Sequence, residues 1–160
     1  MVIQADGRWD YNKTPIGREK LVRLFASVLK REGDDFFLVT PVEKIGIKVV
    51  DAPFIAVAME RFEKGENQIL KFTTNVGDEV IAGPGHELSF EKSDDHNSLK
   101  PYVHIRGGLK ARLSRPVYYD LANQVEEHVI EGTPHLGVWS SGQFYEIEAL
   151  DNCNPSSGSL

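Results

Sequence analysis

The sequence predicts an α+β protein with mainly antiparallel sheets, two helices and a repeated β-α-β motif. Most of the 160 residues fall in short segments that alternate apolar and polar residues or are rich in β-branched residues. Short turns join most neighbouring segments, which favours antiparallel pairing. Two longer segments instead carry apolar residues at helical spacing. Each of these follows a predicted strand and is followed by Glu-Gly and another strand, so we infer a duplicated motif.

The two predicted helices occupy residues 14–33 and 114–132. Pro15 and Pro116 suit the first turn of a helix, and Gly33 and Gly132 suit the position just after the last turn. We therefore expect each Glu-Gly pair to end a helix. The apolar faces would comprise Leu21, Leu24, Phe25, Val28 and Leu29 in the first helix and Val117, Leu121, Val125 and Val129 in the second.

Strands are predicted for most of the remaining chain. Segment 54–62 is apolar on both faces at its start, as expected of a central strand. The other predicted strands are 44–50, 68–74, 87–92, 101–106, 109–114, 136–140 and 143–148. A boundary near residues 51–53 would separate an N-terminal α+β part, residues 1–52, from a C-terminal antiparallel part with one helix, residues 53–150. The polar residues 151–160 predict a disordered tail.

The overall charge argues against nucleic acid as a partner. The formal net charge is -6, whereas nucleic-acid-binding domains are typically basic. The lone cysteine, Cys153, lies in the polar tail, so no internal disulfide can form. No apolar run is long enough to span a membrane, and the N-terminus shows no signal pattern, so we expect a cytoplasmic protein.

The glycine-rich segment 72–88, "FTTNVGDEVIAGPGHEL", favours turns between strands over a phosphate-binding loop. Its glycines are Gly77, Gly83 and Gly85, and Pro84 lies between the last two. A phosphate loop needs a lysine and a helix that follows, and this segment has neither in the predicted structure. Its two acids, Asp78 and Glu79, would repel phosphate. We therefore interpret the glycines as turn residues.

The sequence predicts no catalytic residues, no metal site and no cofactor. The five histidines lack close metal-ligand spacing, and the run from Asp94 to His96 is typical of a solvated loop. A nucleophile elbow is absent, and Ser140 with Ser141 is typical of a hairpin turn. These patterns favour a non-catalytic protein over an enzyme.

A cationic hairpin is the strongest indication of a ligand. A three-residue turn through Leu109 would collect polar side chains on one face and apolar ones on the other. On this register Arg106 lies opposite Lys110, so the cluster calls for acidic neighbours or an anionic ligand. The alternative is an ordinary solvated face. The polar face would carry Tyr102, His104, Arg106, Lys110 and Arg112, and the apolar pairs would be Val103 with Leu113 and Ile105 with Ala111.

The candidate ligand-binding set adds polar and aromatic residues from elsewhere in the chain. His104 would make binding pH-dependent, and Trp139 would stack on a ring of the ligand. The full set is Lys44, Asn75, His104, Arg106, Lys110, Arg112, Tyr118 and Trp139.

Several motifs occur in order between about Gly7 and Glu148. They include "GRWDYNKTPIGREKLVRLFASVLKREG", "FTTNVGDEVIAGPGHEL", "PYVHIRGGLKARLSRPVYYDL" and "LGVWSSGQFYEIE". Together they closely resemble the DUF1285 family of bacterial proteins of unknown function. Because that family has no agreed catalytic residues, the resemblance carries none over to this chain.

The resemblance implies a fold of repeated motifs in two parts, the C-terminal part superficially similar to a pleckstrin-homology-like barrel. It also implies a ligand site between the parts for a nucleotide-type molecule, and a role in signal transduction. We therefore expect a non-catalytic sensory module that binds an anionic, phosphorylated ligand. Two alternatives remain: a hydrolase acting on a phosphorylated or nucleotide substrate, and a protein-interaction module.

Overall fold

A computed structural model describes residues 1–93 and 98–149, and within these residues the chain forms three β-sheets and two α-helices. The predicted solvated loop at Asp94 to His96 and the predicted disordered tail, residues 151–160, lie outside the described residues. Strands dominate the structure, most pairs are antiparallel, and the two-part architecture fits, so these features of the predicted fold class are confirmed.

The first sheet is built from the N-terminal third of the chain. Its order is β3-β2-β1-β6-β5-β4, and β1 pairs with β6 in parallel while the other neighbours are antiparallel. Helix α1, Glu19–Ser27, connects β3 to β4. The strands are β1 Val2–Ile3, β2 Trp9–Tyr11, β3 Thr14–Pro15, β4 Leu29–Glu32, β5 Asp35–Val39 and β6 Lys44–Val49.

The second sheet is curled into a half-barrel with the order β10-β11-β12-β7-β8-β9. Its central strand β7 pairs with β12 in parallel and with β8 antiparallel, and its first three residues are buried. A 3₁₀ turn at Gly65–Asn67 joins β7 to β8. The strands are β7 Phe54–Phe62, β8 Ile69–Thr74, β9 Glu79–Ile81, β10 Leu88–Lys92, β11 Leu99–Arg106 and β12 Leu109–Leu113.

The third sheet follows helix α2, Arg115–Ala122, whose N-terminus is capped by the Ser114 hydroxyl. It is an antiparallel sheet of β13 Glu126–Ile130, β14 Thr133–Ser140 and β15 Gln143–Ala149. Each part of the chain therefore contains a helix followed by three antiparallel strands. In the first part these strands are β4 to β6.

One apolar core joins the three sheets and both helices. Trp9 from the first sheet, Phe54 and Phe72 from the second, Val138 from the third and Leu121 from α2 belong to the same buried cluster. The free energy of folding therefore depends on contacts between the two parts as well as on contacts within each.

Both helices are shorter than predicted, because the Glu-Gly pairs do not end them. Gly33 and Gly132 lie instead in two-residue turns between β4 and β5 and between β13 and β14, where both glycines have positive φ. The predicted apolar faces are therefore wrong at Leu29, which is buried from a strand, and at Val129, which is exposed on another strand. Strand pairing satisfies the same backbone groups as further helical turns would have done.

The interpretation of segment 72–88 as strands and turns is confirmed. Strand β8 ends at Thr74, β9 follows at Glu79, and a bridge between Gly83 and His86 closes the second turn. The Thr74 hydroxyl accepts hydrogen bonds from the N–H groups of Val76 and Asp78, which holds the first turn together.

Within the described residues, neither helix has the length and apolar character required to cross a bilayer.

Candidate functional site

The β11–β12 hairpin has a different register from the predicted one. The turn is the two-residue Gly107–Gly108, because Arg106 pairs with Leu109, and a bulge between His104 and Arg106 shifts the ladder. Beyond the bulge Val103 pairs with Ala111, not with Leu113. The predicted pairs Arg106–Lys110 and Ile105–Ala111 are also wrong. The bulge removes the mixing of faces that a two-residue turn would otherwise cause.

The bulge also separates Arg106 from the other cations. Residues directly opposite one another share a face, so Arg106 lies on the face of buried Leu109, away from Lys110 and Arg112. There its guanidinium donates hydrogen bonds to the carbonyl oxygens of Ala26 at 2.7 Å and Leu29 at 3.2 Å. Arg106 therefore holds the end of α1 against the second sheet.

Lys110 and Arg112 remain together, and each has an acidic neighbour. Arg112 donates to Asp51 at 2.7 Å, and the Lys110 ammonium lies 3.5 Å from Glu91. Both cations lie over the ring of Tyr102, at 5.7 Å for Arg112 and 5.9 Å for Lys110. Acidic neighbours thus balance part of the positive charge that the sequence places on this hairpin.

Tyr102 and Asp51 link the two parts at their junction. The Tyr102 hydroxyl donates a 2.6 Å hydrogen bond to Asp51, whose second carboxylate oxygen accepts from Arg112. Burial, and then the bond to the Asp51 carboxylate, raise the pKa of Tyr102 well above its usual range. Tyr102 and Asp51 line a cleft between the parts.

That cleft has a volume of about 320 Å³. Val50 and Pro53 belong to its apolar wall. Among residues 1–93 and 98–149, Lys100 forms no ion pair, so its ammonium is the cation most available to a ligand. The lining residues that carry charge or a ring are Arg31, Phe36, Asp51, Glu91, Lys100, Tyr102 and Lys110.

A second cleft lies between α1 and the second sheet, on the side of Arg106. It has a volume of about 400 Å³ and combines Arg23, Lys30 and Arg106 with one carboxylate, Asp78. Two of its cations already have partners, because Arg106 binds the carbonyl oxygens of Ala26 and Leu29 and Arg23 pairs with Glu19. We therefore regard the cleft beside Tyr102 as the better candidate site.

The His104 ring, on β11, is held by backbone groups of two turns of the second sheet. Its Nδ1 atom lies 2.8 Å from the Gly85 carbonyl oxygen, and its Nε2 atom accepts the Gly108 N–H at 2.9 Å. This arrangement requires the neutral tautomer with the proton on Nδ1. The geometry gives His104 a role in shaping the hairpin turn.

The remaining candidates are spread over the molecule. Lys44 pairs with Glu32 on the first sheet, and Trp139 packs against other rings on the third sheet.

Asn75 accepts a hydrogen bond from the Ile55 N–H and donates one to the Gly7 carbonyl oxygen. Its side chain thus joins backbone groups of the two parts. Tyr118 is half-buried on α2, and burial raises its pKa. Of the candidate set, Lys110 alone is among the residues that line the cleft beside Tyr102.

Arg31, Phe36, Asp51 and Lys100 line the cleft beside Tyr102 but are not in the candidate set from the sequence. The sequence predicts a helix at Arg31, yet this residue lies in β4 and donates to the Gly108 carbonyl oxygen at 2.9 Å. Asp51 lies at the predicted boundary between the parts. Only the assembled fold brings this acid to Arg112 of the hairpin, so no local sequence signal identifies it.

Family models match nearly the whole chain. The model for the N-terminal domain of DUF1285, a domain of unknown function, matches residues 1–52. The model for the C-terminal domain of DUF1285, a protein of unknown function, matches residues 53–147. A search of the curated proteins finds no match.

Two crystal structures of DUF1285 family proteins are similar to the chain. One, from Silicibacter pomeroyi DSS-3, is 45% identical with a TM-score of 0.87, covering 96% of this chain and 82% of that one. The other, from Shewanella baltica OS155, is 32% identical with a TM-score of 0.61, covering 78% of this chain and 91% of that one. The chain therefore belongs to the DUF1285 family.

Proposed function

We propose that the protein is a non-catalytic, cytoplasmic sensory module that binds an anionic, phosphorylated ligand, of nucleotide type, in the cleft beside Tyr102. The observation that carries the proposal is the composition of this cleft. It brings Arg31, Lys100 and Lys110 together with the rings of Phe36 and Tyr102. Cations suit a phosphate group, and aromatic rings suit a planar base.

The position of the cleft supports a signalling role. Arg31 and Phe36 come from the first part, whereas Lys100 and Tyr102 come from the second. A ligand that contacts both parts would stabilise one arrangement of the two parts relative to others. This change in arrangement would be transmitted through the contacts of Asp51 at the junction. We extend the proposal to the fold: the curled second sheet with α2 packed on β7 is a pleckstrin-homology-like barrel, and the two helix–meander units are a duplication.

The test is isothermal titration calorimetry with ATP, GTP and inorganic phosphate as probes. We expect a nucleotide to bind more tightly than phosphate, because it contacts the rings as well as the ammonium groups. The Lys100→Gln, Lys110→Gln double variant should weaken binding by about tenfold or more, as expected for loss of two charge-assisted contacts.

Lys48→Gln is the matched control, because Lys48 is exposed on the first sheet. It removes one positive charge at a different place and should leave the affinity unchanged. A wild-type protein that gives no heat with any of the three probes would overturn the proposal. Equal affinity in the wild type and the double variant would do the same.

A further inference from the structure

The outer face of the third sheet carries a cluster of aromatic rings. Val138, Ser140 and Tyr145 are buried on the inner face of this sheet. Trp139 and Phe144, a directly opposed pair, alternate with them and therefore lie on the outer face. With His128 they form a three-ring cluster whose centroids are 5.0 to 5.2 Å apart. All three rings are only partly buried.

Gly137 is what lets the Phe144 ring lie so close to the sheet. A Cβ atom at this glycine would lie 2.7 Å from Phe144 Cζ, which is closer than real contacts allow. The tip and one edge of the ring therefore lie against the backbone of β14 at this position.

Two glutamates lie on either side of Gly137 across the sheet. Glu126 on β13 and Glu146 on β15 both pair with Gly137, so the three residues form a row across the sheet. Adjacent strands are about 4.8 Å apart, which places the two glutamate backbones roughly 10 Å apart with the ring between them. His135 Nδ1 lies 2.7 Å from a Glu146 carboxylate oxygen and fixes that side chain. A cation seated on the ring would be attracted by the ring and by both carboxylates.

Strand β13 presents an unpaired edge beside this face. It is the outermost strand of the sheet in the part of the chain that the structure describes. Its pair Ile130–Thr133 closes a two-residue turn, so hydrogen-bonded pairs recur at every second residue from there. The backbone N–H and C=O groups of Glu127 and Val129 consequently point away from β14. Pro134, which has no N–H, lies opposite Val129 and agrees with this pattern.

We propose that the β13 edge and the acidic aromatic face beside it bind an extended, arginine-bearing segment of a partner protein. Such a segment would add as a strand to β13, using the free groups of Glu127 and Val129. An arginine of the segment would stack on the rings and pair with Glu126 and Glu146, since a planar guanidinium suits both contacts. A protein segment fits better than a free amine, because the surface is open and backbone hydrogen bonds supply contacts that a small cation lacks.

The test uses a short, fluorescein-labelled peptide of alternating arginine and valine, with binding followed by anisotropy. We expect saturable binding that weakens as salt is added. A peptide with citrulline in place of arginine keeps the shape and loses the charge, and it should bind at least about tenfold more weakly. N-methylation of alternate backbone amides removes the strand contacts and should abolish binding.

Variants of the protein locate the contact. Glu126→Gln and Phe144→Leu should each weaken peptide binding by roughly fivefold, while Glu43→Gln, which removes an exposed acid from the first part, should not. Because Glu126 is exposed, its variant keeps the test informative even where Phe144→Leu disturbs folding. Equal binding of the citrulline peptide or unchanged binding by Glu126→Gln would overturn the proposal. A stable dimer that binds no peptide would assign the edge to self-association and overturn it too.

Discussion

The Nη2 atom of Arg106 lies 2.7 Å from the carbonyl oxygen of Ala26, in the last turn of α1. The carbonyl groups at the end of a helix have no partner within it, so a donor from another element stabilises them. Nη1 of the same guanidinium binds the Leu29 carbonyl oxygen at the start of β4. One side chain of the second part thus fixes the helix-to-strand transition of the first.

Replacing Arg106 should therefore lower the free energy of unfolding of the protein even when no ligand is present. We expect Arg106→Met to lower the free energy of unfolding by about 2–3 kcal/mol, because two carbonyl groups lose a charged donor. Arg106→Lys should fall between this variant and the wild type, since an ammonium lacks the planar fork. Urea unfolding measures the effect. Arg115→Met is the control, because Arg115 is exposed at the start of α2, and its free energy of unfolding should stay within about 0.5 kcal/mol of wild type. A loss in Arg115→Met equal to that in Arg106→Met would contradict the structural role of Arg106.

Local sequence patterns predict most of the longer strands, because alternation and turn residues act between neighbours, but they give no strand at β9. They failed at the helix ends, where Val28 and Leu29 fit the spacing of a helix and Leu29 also fits a buried strand position. Tertiary pairing with β5 decided between these two states. The Glu-Gly pairs fit a hairpin turn as well as a helix end, because glycine with positive φ is common at both positions.

The candidate site was harder to predict than the fold. Tyr102 and Asp51 are far apart in sequence, and only the assembled parts bring their side chains together. The bulge near Ile105 is equally nonlocal, because it moves Arg106 to the core face for contacts with α1. Sequence reasoning placed the cations on the correct hairpin. It could not assign each one to a face or identify its acidic partner.

Tyr102 should make stability fall at high pH. Its folded-state pKa is raised above the ordinary value of 10.0, by burial first and then by the bond to Asp51. The folded protein therefore holds this proton more tightly than the unfolded chain does. The stabilisation is complete below pH of about 10, and it declines as rising pH ionises the tyrosine of the unfolded chain.

Urea unfolding between about pH 9 and pH 11 measures this dependence. Tyr102→Phe should unfold more easily than wild type at pH 9 and should lose less stability on going to pH 11. Tyr11→Phe is the control, because Tyr11 is exposed and should keep the wild-type slope. Parallel pH profiles for wild type and Tyr102→Phe would show that the proton on Tyr102 is not linked to folding.

Ser140→Ala should destabilise the contact between the second and third sheets. The fully buried Ser140 hydroxyl accepts from the Leu70 N–H at 3.0 Å and donates to the Ala82 carbonyl oxygen at 2.7 Å. Its loss leaves the Leu70 N–H without this partner, at a cost of about 2 kcal/mol. Ser141→Ala should cost roughly 0.5 kcal/mol, because Ala82 keeps its bond from Ser140. Thermal unfolding of both variants measures the difference, and similar melting temperatures would refute it.

Gly137→Ala should disrupt the hairpin of β14 and β15. The added Cβ atom would lie 2.3 Å from the Tyr145 carbonyl oxygen, and a backbone atom cannot move aside as a flexible side chain can. We expect a loss of about 3 kcal/mol or more, with a changed near-ultraviolet circular dichroism signal from Trp139 and Phe144. Gly46→Ala on β6 is the control, since its Cβ would meet only the Phe37 ring at 3.8 Å. A near-wild-type Gly137→Ala protein would mean that the two strands can separate locally without loss of the aromatic cluster, and that Gly137 does not determine where the Phe144 ring lies.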